Sequence, residues 1–350
     1  MVKRLSKIIA GMAAALAVGV VFGGVPAQAA GSLNVYNWGE YISPEILDQF
    51  AKEFDVDVNL DTYSSNEEML AKIQAGATGY DIVFPSVHMN DIMLQLGLLE
   101  KTDVNRMPGF ENIDKSFLRT KNDPDGEYCL PYAWGNVGIY YNKERVPEGM
   151  KSWADFFAYA EKNPGSVTLL DDMREVIGIG LIVNGKSVNS RDPADLKAAE
   201  DFILQHKPNI AAFTYEVLPL IESGDMAASH YFVGANLHVM RNPEKLGYVI
   251  PEEGATMYQE NICVLKTAPN KENALKFLEF FMWPEVSVKN TIQQTNGSVN
   301  TGAIALLPDE IRNNENINPP PEVRAKLQIF EDLGQDLRLY DRIWTRIKTN

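Results

Sequence analysis

"YDIVFP", residues 80 to 85, is a continuous apolar run. It reads as a strand of a parallel sheet, covered by helices on both faces. The chain before it keeps a matching rhythm. Leu33 to Asn37 reads as a strand. Pro44 to Phe54 reads as a helix: Ser43 can cap it, Pro44 suits the first helical position, and Ile46, Leu47, Phe50 and Phe54 make an apolar stripe. Val56 to Tyr63 alternates like a second strand. Asn66 to Ala75 is helical again, with Met69, Leu70 and Ile73 on one face, until Gly76 and Gly79 break it. Strand, helix, strand, helix, strand predicts an α/β fold with an open sheet and helices on either side.

The pattern then shifts. "CLPYAWGNVGIYYN", residues 129 to 142, is extended, aromatic and glycine-bearing, and reads as a crossing into a second domain. "SWADFFAYAEK" opens a helix there, with Ser152 as cap and Asp155 as the acid of a short capping box. "GSVTLLDDMREVIGIGLI" reads as a strand, a turn and a helix, and "PADLKAAEDFILQHKP" as an amphipathic helix stopped by Pro208. "GYVIPEEGATMYQENICVLK" is extended and leads back. "NKENALKFLEFFMWPEV" is a further amphipathic helix. A last helix is expected from about Pro321 to Lys348, after a polar, proline-rich loop near residues 313 to 322. The expected division is 30–137 with 259–306 as one lobe and 138–258 with 307–350 as the other. Two hinge crossings would join them over a cleft.

Residues 1–29 read as a secretory signal peptide. Lys3, Arg4 and Lys7 precede the apolar run Ile8 to Val25, and Ala27-Gln28-Ala29 is a small-residue cleavage site. The formal charge of −15 becomes −18 once those three cations are removed. Such acidity argues against nucleic acid and against anionic membrane surfaces, and it permits cationic ligands. Two cysteines are too few for a disulfide scaffold, and no spacing suggests a metal finger. No nucleophile–base motif or metal-ligand cluster stands out, so neither catalysis nor a cofactor is expected.

Ligands of open α/β sheets lie beyond the carboxyl ends of strands. Three unusual stretches fall at such ends: "NWGEY" (37–41), "FPSVH" (84–88) and "LLDDMREV" (169–176). With later strand ends they supply Trp38, Glu40, Tyr41, Ser86, His88, Asp172, Glu175, Phe232, Tyr258 and Glu260. Carboxylates gathered in a desolvated cleft raise each other's pKa and need a cation. A hard metal wants closely converging oxygens. These acids are spread along the chain and interleaved with rings, which suits an organic cation: carboxylates for the charged ends, ring faces for the methylenes. A flexible polyamine fits. An amino-acid-like solute or another organic cation is the alternative, and an enzyme ranks behind both.

The sequence resembles the spermidine/putrescine-binding proteins of bacterial ABC transporters, within the type II periplasmic solute-binding fold. The likeness covers essentially the whole mature chain. It is carried by "YNWGEYISPEILDQFAKE", "TYSSNEEMLAKI", "YDIVFPS", "PYAWG", "SWADFF", "LLDDMREV" and "NIAAF". It implies a monomeric two-lobed periplasmic receptor that passes its polyamine to an inner-membrane permease. It also implies site roles. Trp38, Glu40 and Tyr41 would line the cleft, with Gly39 where relatives have threonine. Ser86 stands at a family serine and His88 at a tyrosine. Asp172 and Glu175 would hold an ammonium group. Phe232 and Tyr258 stand at family tryptophans, Glu260 at an aspartate, Ser298 at a tyrosine and Gln335 at a glutamine.

Plainer roles stand beside these. Asp171 or Asp172 could cap a helix, and Arg174 could be an ion-pair partner. His206, His230 and His238 pair with no nucleophile. Ser86 and His88, two apart, would share a strand face without forming a catalytic dyad. Cys129 and Cys263 lie on the two crossings. Strands of this fold's hinge run side by side, so the two sulfurs either bridge or remain buried thiols.

Overall fold

The computed structural model describes residues 31–39 and 41–349. The expected signal peptide and Glu40 lie outside the described residues. The first half follows the expected rhythm as β1 (Ser32–Trp38), α1 (Pro44–Phe54), β2 (Asp57–Tyr63), α2 (Asn66–Gln74), β3 (Ile82–Val83) and α3 (Val87–Gln95). The rest comprises β4 (Cys129–Asn142), α4 (Trp153–Lys162), β5 (Val167–Leu169), α5 (Met173–Val183) and α6 (Pro193–His206). Then come β6 (Ile210–Phe213), β7 (Ala228–Phe232), β8 (Leu246–Val249), β9 (Ala255–Val264), β10 (Gly297–Ser298) and β11 (Leu327–Ile329).

Among the described residues these strands join in one mixed sheet, ordered β2-β1-β3-β9-β4-β7-β5-β6, with β10 and β8 pairing to β4 and β11 to β9. Its centre is the antiparallel pair β4 and β9, in register from Cys129 opposite Cys263 to Val137 opposite Thr256. The ladder shifts between Pro131 and Ala133. Pro131 has no N–H to give it. At the far end Cys129 and Cys263 are joined as a disulfide, with Cα atoms 4.5 Å apart.

Separate cores pack on this sheet. One gathers Leu33, Val35, Phe50, Phe84, Phe277 and Phe280. A neighbour, around Tyr36, Met69, Val83 and Met89, contains the disulfide. On the other side Trp153, Phe156, Val176, Ile203, Tyr340 and Ile347 form another. A fourth joins Tyr140, Val217 and Tyr248 to Val288, Ala303 and Leu307. The cores lie on the sheet to either side of β4 and β9.

Local signals explain most elements. The Ser152 hydroxyl accepts from Asp155 N at 3.0 Å, and the Asp155 carboxylate accepts from Lys151 N at 2.9 Å. This reciprocal cap contributes about 1 kcal/mol. Ser43 does not cap α1 with its side chain; its N–H donates to Asn290 at 3.0 Å. The strand at "YDIVFP" is only Ile82–Val83, because the chain turns into α3 directly after Pro85. "NKENALKFLEFFMWPEV" divides into Lys271–Phe281 and Pro284–Gln294. Pro284 removes a helical N–H and holds Trp283 extended (φ −65, ψ 127). The last helix spans Leu337–Thr349 alone. Upstream, one turn at Pro321–Arg324 precedes β11, which adds a parallel strand beside β9, and Gly334 takes φ +54. No helix among the described residues is long and apolar enough to cross a membrane.

Candidate functional site

Alternate residues of a strand share a face, so Thr256, Tyr258 and Glu260 project together from β9. They are the spine of the site. Glu260 is 5 % exposed. Its Oε1 accepts from the Ser86 hydroxyl at 2.8 Å and its Oε2 from the Trp38 indole N–H at 3.2 Å. That indole also donates to Phe84 O at 2.8 Å. Ser86 is fixed in turn by Asn66, whose amide donates to the hydroxyl at 3.0 Å and accepts from Ser86 N at 3.2 Å. Two donors favour the carboxylate, yet burial outweighs them and pushes Glu260 up to about 8. Tyr63 and Tyr132, which are buried, and Tyr41 and Tyr258, which are partly buried, surround this acid, and desolvation raises their phenols, so they remain donors.

At the other end of the spine Thr256 donates to Glu175 Oε2 at 2.6 Å. His230 Nε2 stands 3.4 Å from the same oxygen. Oε1 has no protein partner among the described residues. Asp172 caps α5, accepting from Glu175 N at 3.0 Å, and its other oxygen accepts from the Tyr215 hydroxyl at 3.3 Å. Burial first, and then the neighbouring Glu175, raises the Asp172 carboxyl. One acid therefore caps a helix and accepts from a tyrosine hydroxyl at once. Asp171 turns away to Lys348 at 2.5 Å.

Rings bridge the two acid centres. Phe232 meets Tyr258 edge-on at 5.8 Å and lies parallel to Tyr215 at 6.3 Å. Tyr258 itself crosses β4 at Gly135, where a Cβ would collide with its hydroxyl and, at 2.7 Å, with Val233. Glycine at 135 makes room for the ring. Gly39 is the opposite case: an added Cβ would meet nothing within 4 Å. Packing does not demand glycine there.

Trp38, Ser86, Tyr258 and Glu260 thus converge with Tyr41 at one end, and Asp172, Glu175 and Phe232 at the other. His88 does not join either acid centre. It lies inside α3, so it shares no strand face with Ser86. Its ring meets Phe330 edge-on at 6.4 Å. Burial and then the Arg174 charge push it down to about 4, which leaves it neutral. Gln335 sits on an exposed turn with its side chain bonded to Arg338 at 3.1 Å. Ser298 is buried and structural, its hydroxyl accepting from Asn300 N at 3.1 Å. Arg174 has no ion pair among the described residues; it packs over Phe330 and Tyr340 and donates to Asn189 at 2.8 Å.

Sequence reasoning passed over Tyr215, Thr256, Asn66 and the pairing of His230. Period two would have found Thr256 from Tyr258 and His230 from Phe232. Tyr215 follows the end of β6, where the strand-end rule applies again. No group of three or more potential metal ligands occurs among the described residues.

A family model for bacterial extracellular solute-binding proteins matches residues 45–319. The putrescine-binding periplasmic protein SpuD of Pseudomonas aeruginosa is 32 % identical over all of both chains. The spermidine/putrescine-binding periplasmic protein of Escherichia coli is 32 % identical over 91 % of each. Among solved structures, a putative spermidine/putrescine ABC transporter protein from Listeria monocytogenes superposes with a TM-score of 0.83 at 32 % identity, covering 91 % of this chain and 99 % of its own. PotD from Streptococcus pneumoniae gives 0.82 at 33 % identity over the same shares.

Proposed function

Since the chain belongs to the family of bacterial extracellular solute-binding proteins, we propose that it is a periplasmic receptor for a polyamine, spermidine or putrescine. It would deliver this ligand to an ABC permease in the inner membrane. The observation that carries the reading is the single face of β9. Glu260 stands at one end, Thr256 with Glu175 at the other, and Tyr258 between them. Four residues at about 3.3 Å each put these ends ~13 Å apart along the strand, the scale of a chain with an ammonium at either end.

Each ammonium would meet a desolvated carboxylate and relieve its burial. The methylenes would lie against Tyr258, Phe232, Tyr215 and Trp38, with ~0.8 kcal/mol for each CH₂ buried. A ligand touching both centres stabilises the closed lobes by contacts that the open form cannot make. The same proposal includes Gly39, Glu40 and Tyr41 as groove residues, the signal peptide at 1–29, and the lobes 30–137 with 259–306 and 138–258 with 307–350. In support of the lobes, the core around Tyr36 draws only on the first set and the core around Tyr340 only on the second, while the cores around Phe50 and Tyr140 take residues from both. The proposal assigns no catalytic step.

Thermal shift with putrescine, cadaverine, spermidine, spermine and a set of amino acids tests it, because a ligand of the native state alone raises its stability. Melting should rise by several degrees with at least one polyamine. A rise with an amino acid and none with any polyamine would overturn the reading.

A further inference from the structure

Arg119 and Arg324 are brought together by one residue, Ser116. Arg119 Nε donates to Ser116 O at 2.7 Å, and Arg324 donates to the Ser116 hydroxyl at 3.4 Å. Both guanidiniums also stand by the buried Phe117 ring, at 5.7 Å and 4.8 Å from its centre, and Arg324 lies 4.8 Å from the centre of Trp134. Among the described residues the arginines in ion pairs are Arg191, Arg312 and Arg346; Arg119 and Arg324 have none. The acid that acts on Arg119 is Asp114, and one of its oxygens is taken by Ser116 N at 2.9 Å. Burial first, and then the Arg324 charge, lower the Arg119 guanidinium. Stacking on Phe117 and Trp134 accounts for the position of Arg324. It does not account for a second cation beside it with no paired acid, in a chain whose formal charge is −15.

The place is separate from the two acid centres. Gly135 stands opposite Tyr258 and faces its ring, so the neighbouring Trp134 leaves the other face of the sheet. We propose that Ser116, Arg119 and Arg324 form a site for a small tetrahedral oxyanion, phosphate or sulfate. Two planar guanidinium forks match two edges of such an ion, and their two positive charges match a dianion. The Ser116 hydroxyl accepts from Arg324 and keeps its own hydrogen for a further oxygen. The occupant is a free ion rather than a lipid headgroup, because an acidic protein is repelled by an anionic membrane. The proposal does not depend on the polyamine reading.

The experiment is calorimetric titration of the protein with sodium phosphate, and separately with sodium sulfate, at pH 7.5 and at an ionic strength fixed with chloride. Binding should saturate at one ion per chain, and sulfate should displace phosphate. Arg119→Gln and Arg324→Gln should each weaken phosphate about tenfold or more. Arg324→Lys keeps the charge and loses the fork, so it should also bind several-fold more weakly. Arg324→Gln could disturb the packing on Trp134; Arg119 is exposed, so Arg119→Gln supplies a folded variant, with thermal unfolding in chloride as the check. No saturation below ~10 mM phosphate overturns the proposal. So does unchanged affinity in Arg119→Gln, or displacement of phosphate by chloride as readily as by sulfate. Co-sedimentation with phosphatidylglycerol vesicles, without binding of free phosphate, would assign the cluster to a headgroup and overturn it as well.

Discussion

Consider Glu260 as the receptor fills. Burial holds it near 8 against an ordinary 4.5, so at pH 7 about nine in ten free molecules carry its proton. An ammonium delivered against Ser86 and Trp38 restores the carboxylate, and the proton leaves. About 0.9 proton should therefore be released per ligand at pH 7. An ammonium that returns the group to its ordinary value changes it by roughly 3.5 units, which corresponds to about 5 kcal/mol of affinity gained as pH rises. The climb runs from about 4.5 to 8 and then levels. Stability of the ligand-free protein has the opposite sign. Between those pH values the folded state binds more protons than the unfolded chain, so stability is greatest at the acid end and is lost as pH rises through the window. Calorimetry at pH 7 in buffers of different ionisation enthalpy reads the proton count from the slope. Glu260→Gln, neutral at every pH, should abolish the release and weaken the ligand at pH 8 by an amount approaching the same ~5 kcal/mol. Release below a third of a proton, or equal release from the Gln variant, would refute the reasoning.

Glu40→Gln should cut polyamine affinity about tenfold, ~1.4 kcal/mol, with the melting temperature unchanged; paired calorimetry and thermal unfolding check both parts. Tyr215→Phe keeps the stack on Phe232 but loses the bond to Asp172, so affinity should fall by about 1 kcal/mol. Stability should move by less than ~0.5 kcal/mol, because Tyr215 is 45 % exposed. Replacing Cys129 and Cys263 together by serine releases a 134-residue loop and should cost up to ~5 kcal/mol in denaturant unfolding. Intact mass without reductant should show no alkylation of the unaltered protein.

The alternating half of the fold was legible because its signals are local: Pro44 at a helix start, Ser152 with Asp155 at another, glycines between elements. The failures share a cause, which is competition from tertiary structure. Nothing in "LQI" announces β11; it becomes a strand because the edge of β9 is open to it. Pro284 divides a helix whose apolar spacing runs straight through. At the site, Glu260 and Asp172 could be picked out as acids in apolar company. His88 could not be placed, since three residues after Pro85 the chain is helical rather than extended. Gln335 could not be placed either, since it falls on an exposed turn directly after Gly334, which takes a positive φ, and bonds to Arg338. His230 was passed over because its significance lies in a partner 55 positions away.

β9 has two roles that are usually given to different parts of a binding protein. It is an axle, paired with β4 between the lobes, and it is also the gauge that spaces the two acid centres. In the proposed receptor, lobe closure would twist the gauge, so that its ends would be aimed correctly at one closure angle only. An amine of the wrong length need not clash with anything. It could be held firmly at one end while the lobes stay ajar, occupying the protein without presenting the closed shape that a permease would accept. Such a molecule would inhibit transport in proportion to its affinity, and selectivity of uptake would exceed selectivity of binding.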